Sequence, residues 1–286
     1  MSTPDIEPIS GRYMKLELWG AKHRIYWEEA GEGIPLLCLH TAGSDGRQFR
    51  ALMNDEEVTS HFRVIAFDMP WHGKSSPPAG WESQTYELTT AKYLDLILRF
   101  SSALELDRPV VMGCSIGGRI VLHLAREHPD AARCVIGLQS AGMVNPYYDI
   151  DWLYRADVHG AHVCAGMVSG LIAPGAPDEH RWETLWHYMQ SGPGIFKGDL
   201  HFYTVEGDIM DHVGEIDTGR CPIYMLTGEY DFSCSPEMSQ RTAEAINGAH
   251  LEIMEGMGHF PMSEHPDAFK AYLMPVLEEI RQVHSP

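Results

Sequence analysis

The 286-residue chain has no apolar run long enough to cross a bilayer, so no membrane-spanning helix is expected. Positive charge is scarce. There are 21 Lys and Arg against 40 Asp and Glu, a formal net charge of −19. Phosphate backbones and anionic headgroups repel such a surface, so neither nucleic acid nor a membrane is an expected partner. The six cysteines, Cys38, Cys114, Cys134, Cys164, Cys221 and Cys234, form no CxxC pair, which removes the usual reason to expect zinc or a redox motif. Several lie in apolar runs, where cysteine behaves as a small hydrophobe. The opening residues, MSTPDIEPIS, lack a basic stretch followed by an apolar one, so no secretory leader is expected. Scattered thiols without an export signal point to a reducing cytoplasm. There is no internal repeat and no low-complexity segment.

What the chain does have is a rhythm. YMKLELWG and HRIYWEEAG alternate apolar and polar residues and read as an antiparallel hairpin. Short continuous apolar runs follow at residues 35–40, 62–68, 108–114, 134–139, 221–228 and 250–255. Runs of this kind suit strands buried on both faces of a parallel sheet. Helical patterns occupy about 86–105, 116–128, 236–247 and 266–283, and their alternation with the strands predicts an α/β fold with right-handed crossovers. The rhythm breaks after Gln139. Residues 143–215 are dense in aromatics, Met and His and too long for a loop, and are expected to form a helical cap inserted in a core made of 1–142 and 216–286. Most cap aromatics should serve its own core, and a minority should line a ligand pocket.

Gly113-Cys114-Ser115-Ile116-Gly117 fits G-x-S-x-G, follows a strand-like run and opens a helix-like one. Glycines on either side permit a sharp turn that lifts the Ser115 hydroxyl above a helix N-terminus, where negative charge is favoured. Cys114 should face the opposite way and be inert packing. A serine needs a base and an orienting acid to become nucleophilic. His259 stands in a glycine-rich loop after the last strand, and Asp231 in a loop after the preceding one. Glu229 is the nearest competing acid. Asp68 falls in the wrong loop and is expected to tie that loop down.

These segments together, LHTAGSDGRQF, FDMPWHGKSS, MGCSIGG, TGEYDFSCSP and GMGHFPMSEHP, resemble the α/β-hydrolase superfamily over about residues 20–283. The resemblance implies a mostly parallel eight-stranded sheet flanked by helices, with a cap after strand 6. It also implies a Ser115–Asp231–His259 triad and an oxyanion hole made by the backbone N–H of Ile116 and of Ala42, with Thr41 the alternative. Here the chain departs from the pattern, because His40-Thr41 stands where relatives have His-Gly. The expected activity is a serine hydrolase cleaving an ester, lactone or thioester of a small, largely apolar substrate, as a monomer or homodimer and without cofactor. A carbon–carbon bond hydrolase with the same triad and a small-ligand receptor of the same fold are the alternatives. No aspartate occupies the nucleophile position, which disfavours the dehalogenase and epoxide-hydrolase branches.

Candidate substrate contacts are His40 and Phe260 beside the motif loops, and Trp152, His159, His162 and Trp186 in the cap. His40 and His72 also read as loop organisers. The pair His159 and His162 has too few ligands for a metal, and Asp199, His201, Asp208, Asp211 and His212 read as solvated groups, so no metal is expected.

Overall fold

The computed structural model describes residues 6–145 and 160–283. Ser10–Leu18 (β1) and Ala21–Ala30 (β2) form the expected hairpin. Ile34–Leu39 (β3), Phe62–Phe67 (β4), Val110–Cys114 (β5), Cys134–Leu138 (β6), Ile223–Gly228 (β7) and His250–Met254 (β8) follow. They make one eight-stranded sheet in the order β1-β2-β4-β3-β5-β6-β7-β8. β1 and β2 are antiparallel and β2 joins β4 antiparallel, while every pairing from β4 to β8 is parallel.

The inner strands are apolar throughout because helices cover both faces. Side chains alternate between two cores, as the two-residue strand period requires. Leu37, Leu39, Val111 and Val135 pack on one side with Thr90–Ala103 (α1) and Ile116–Glu127 (α2). Leu36, Cys38, Met112 and Cys114 pack on the other, with Phe269, Leu273 and Leu277 of Pro266–Val283 (α7). The run at β8 differs from expectation: it alternates exposed and covered residues, as suits a strand at the sheet edge.

Between β6 and β7 the described residues form Gly160–Val168 (α3), Asp178–Met189 (α4) and Ile195–His201 (α5). Their apolar residues Val168, Leu185, Tyr188, Phe196 and Leu200 join the same core as α1 and α2. Pro236–Ala245 (α6) lies between β7 and β8. One helix boundary moved. The sequence pattern starts a helix near 86, but Thr89 caps α1 with extended backbone and accepts from Lys92 N. The preceding residues run along the insertion instead, with Leu88 N donating to Gly198 O at 3.0 Å.

Candidate active site

Ser115 joins β5 to α2 with φ 60° and ψ −110°, a region that costs a side-chain-bearing residue about 1–3 kcal/mol. The turn is possible because its flanks carry no side chains. A Cβ on Gly113 would sit 2.4 Å from the Gly117 carbonyl carbon, and one on Gly117 would sit 2.6 Å from the Leu39 oxygen. The strain persists because the Ser115 backbone is held at both ends: its N–H donates to Leu138 O at 3.0 Å and its oxygen accepts from Arg119 N at 2.8 Å. Cys114 lies fully buried in the opposite core, where burial and the nearby Asp231 push its thiol well above the ordinary range. Its Sγ donates to the His259 carbonyl at 3.2 Å.

His259 and Asp231 stand in the loops after β8 and β7. Asp231 Oδ2 is 2.7 Å from His259 Nδ1. Its other oxygen accepts from Ser233 N (2.8 Å) and Cys234 N (3.1 Å), so the carboxylate has a fixed orientation. Glu229 is directed elsewhere, accepting from Gly256 N at 2.9 Å.

The His259 loop is braced from several sides. Its N–H donates to Leu171 O of the insertion at 2.9 Å. Gln139 accepts from Gly228 N and donates to Gly258 O, both at 2.8 Å, tying the ends of β6 and β7 to it. Buried Glu264 accepts from the N–H groups of Gly258 and Phe260. Burial raises the Glu264 pKa to about 7, partly offset by these backbone N–H groups and that of Ala173.

The departure at Thr41 has a structural resolution. Thr41-Ala42-Gly43-Ser44 is a turn closed by Ser44 N on Thr41 O at 3.3 Å, and glycine is needed at Gly43, where φ is +68°. Position 41 itself tolerates a side chain. The Thr41 N–H and hydroxyl both donate to Gln48 Oε1 at 3.1 Å, and the hydroxyl accepts from Tyr188 OH at 2.5 Å. The Thr41 N–H is therefore consumed. The Thr41 carbonyl is held by His40 Nδ1 at 2.8 Å. His40 Nε2 accepts from Met69 N at 3.1 Å, which places the ring proton on Nδ1. In a planar trans peptide the N–H points opposite the carbonyl, so fixing the Thr41 oxygen fixes the direction of the Ala42 N–H. Burial, with His72 second, lowers the His40 pKa to about 4 and keeps the ring neutral.

Ser115, His259, Thr41, Ala42 and Phe260 line a narrow void with room for about one water molecule. The insertion closes it with Val168, Leu171, Tyr188, Phe196, Leu200 and Tyr203. Among the described residues no lysine, arginine or carboxylate lines it. Arg181 is instead taken by the carbonyls of Ala173 and Pro174.

The expected substrate contacts divide. Phe260 is in the void and meets the His259 ring edge-on at 4.9 Å. His40 is fully buried behind the Ala42 turn and lies outside the lining. Trp186 is 57% exposed, since its side of α4 faces away. Tyr188, two residues on and so on the opposite helix face, takes the place expected of it. His162 is exposed on α3 and does not line the void, whereas Val168 of the same helix does. Trp152 and His159 lie outside the described residues. Asp68 ties its loop down through Gly46 N (2.9 Å) and Lys74 N (2.7 Å). Asp199 was expected among solvated groups but is fully buried. The sequence reading missed Tyr188, Gln139, Glu264 and Asp199 as parts of this region.

Residues 36–271 match the model of a family described as alpha/beta hydrolases. The 2-hydroxymuconate semialdehyde hydrolase of Pseudomonas putida is 30% identical over 293 residues, covering 100% of both chains. A thermophilic esterase from Thermogutta terrifontis superposes with a TM-score of 0.81 at 19% identity, over 94% of this chain and 99% of that one. The enol-lactonase from Burkholderia xenovorans does so with 0.79 at 19% identity, over 93% and 100%.

Proposed function

The chain belongs to the α/β-hydrolase family, and on that premise we propose that it is a serine hydrolase of small, largely apolar carboxylic esters or lactones. Ser115 Oγ attacks the carbonyl while His259 Nε2 takes its proton. Asp231 holds Nδ1–H and stabilises the imidazolium that forms. The developing oxyanion is received by the N–H groups of Ile116 and Ala42. Ile116 is the first residue of α2, where an N–H has no intrahelical acceptor. Each such donor is worth about 3 kcal/mol. The leaving alcohol takes the proton from His259, and water activated by the same imidazole releases the acyl group from Ser115. Residues 143–215 act as the cap that excludes bulk water.

The observation that carries this reading is the void itself: a strained serine and a carboxylate-held histidine open into a space lined by aliphatic, aromatic and hydroxyl groups. A neutral acyl chain fits such a lining better than an ionised one, whose charge would be desolvated without a partner. A second reading, a carbon–carbon bond hydrolase with the same triad, is favoured by the full-length similarity to the Pseudomonas putida enzyme. Short-chain nitrophenyl esters and a ring-cleavage dienoate, assayed side by side, separate the two. Efficient ester turnover with negligible dienoate cleavage is expected, and the reverse order would move the assignment to the second reading.

A further inference from the structure

Asp199, on α5 of the insertion, is fully buried although it is a carboxylate. Its partners are three donors from separate stretches of the sheet domain. Oδ2 accepts from Gly43 N at 2.7 Å and from His72 Nε2 at 2.8 Å, and Oδ1 accepts from Tyr86 OH at 2.9 Å. His72 is also fully engaged, because its Nδ1 lies 3.0 Å from Pro70 O. Both of its ring nitrogens face oxygens, the Pro70 carbonyl and the Asp199 carboxyl, so an ionised Asp199 requires a proton on each and an imidazolium ring. Besides Asp199, His72 faces the His40 ring, with centroids 5.0 Å apart, the Tyr86 ring at 5.6 Å and the charge of Asp68. Burial is the largest single influence and lowers the His72 pKa, but Asp199, the Pro70 carbonyl and Asp68 together make the net shift upward.

The position of Gly43 gives this pair its meaning. Ala42 sits between two peptide planes. The one before it is held at the Thr41 carbonyl by His40, and the one after it is held at the Gly43 N–H by Asp199. Together they determine the backbone of Ala42. The first hold comes from the sheet domain and the second from the insertion.

We infer that Asp199, charged against His72, is a positioning residue that fixes the Ala42 turn, so that the oxyanion hole is complete only while the insertion is seated. This inference rests on the proposed role of the Ala42 N–H.

Two measurements test it. In Asp199→Asn the counter-charge is gone, so His72 keeps only the proton directed at Pro70 O. Its bare Nε2 then takes the amide NH2 at the former Oδ2 position, and Gly43 N faces a donor in place of an acceptor. Backbone amide exchange at Gly43 should accelerate about tenfold or more, and kcat for a short-chain nitrophenyl ester should fall about tenfold or more with KM within about threefold. Tyr86→Phe removes only the Oδ1 donor and should leave Gly43 protected. Unchanged Gly43 exchange in Asp199→Asn overturns the inference whatever the rates. Accelerated exchange in a protein whose wild type cleaves no ester supports the brace and removes the ester reading instead. The second measurement needs no Asp199 variant. Nitrogen-15 histidine spectra of the wild type at neutral pH should contain one doubly protonated buried ring, assigned by its loss in His72→Gln. A neutral His72 ring would overturn the inference even if Asp199→Asn does not fold.

Discussion

The N–H of Thr41 donates to Gln48 Oε1 at 3.1 Å, and this bond removes Thr41 as a donor for the proposed oxyanion hole. With Thr41 committed, Ala42 is the donor left in that turn. The Thr41 hydroxyl meanwhile links the turn to Tyr188 of the insertion. Thr41→Val removes that hydroxyl, and with it one hydrogen bond to Gln48 Oε1 and one from Tyr188 OH, while the backbone N–H bond to Gln48 remains. The expected loss of stability is about 1–3 kcal/mol by urea unfolding, with Thr41→Ser close to wild type. Equal stability of Thr41→Val and wild type would show that the hydroxyl contributes nothing.

Asp231 orients His259, and Glu229 does not touch it. Asp231→Asn should lower kcat about 10⁴-fold, because the amide favours the wrong imidazole tautomer. Glu229→Gln should stay within about threefold of wild type, since its bond to Gly256 N is a loop contact made at the surface. A large loss in the second variant and none in the first would exchange their roles.

The strands and the nucleophile turn were legible because burial on both faces writes itself as unbroken apolar runs, and because Gly113 and Gly117 mark a crowding that any side chain would violate. The pairing of Asp231 with His259 was legible from their place just after strands. Asp199 was not. Its neighbours in sequence, Lys197 and His201, suggest a solvated face, and what buries it comes from Gly43, His72 and Tyr86, each more than a hundred residues away. The choice of Tyr188 over Trp186 was hidden for a related reason. Both are aromatic, and only the docking of α4 decides which face turns inward.

Arg119, one helical turn after Ser115, donates from Nε to Ala141 O and from Nη1 to Gly207 O at 3.0 Å. Ala141 lies where the chain leaves β6, and Gly207 lies near the far end of the 143–215 insertion. One guanidinium thus ties both ends of the insertion to the helix that follows Ser115. Arg119→Met should cost about 3 kcal/mol in urea unfolding and speed limited proteolysis of the insertion before that of the sheet domain. Uniform proteolysis, or no change in stability, would contradict that role.

Two buried histidines pull stability down on the acid side. Burial lowers the pKa of His40 and of His187 from 6.5 to about 4. Unfolded chains then bind protons that the native state refuses, so stability drops as pH falls from about 6.5 toward 4. Glu264 and Asp68 act in the opposite sense: raised by burial from 4.5 and 3.8 to about 7, they favour the native state at low pH and lose that contribution as pH rises through this window. Between pH about 7.5 and 5, the wild type should lose about 1–3 kcal/mol more than His187→Phe does, measured by urea midpoints at each pH. Parallel pH profiles would remove His187 from the acid limb.

The central claim is that Ser115 carries the acyl group. Rapid acid quench after mixing with a short-chain nitrophenyl ester, followed by peptide mass analysis, tests it directly. The account predicts one acyl group on the peptide containing Ser115, and neither adduct nor turnover in Ser115→Ala. Wild-type turnover by Ser115→Ala, or an adduct on a different residue, would contradict it.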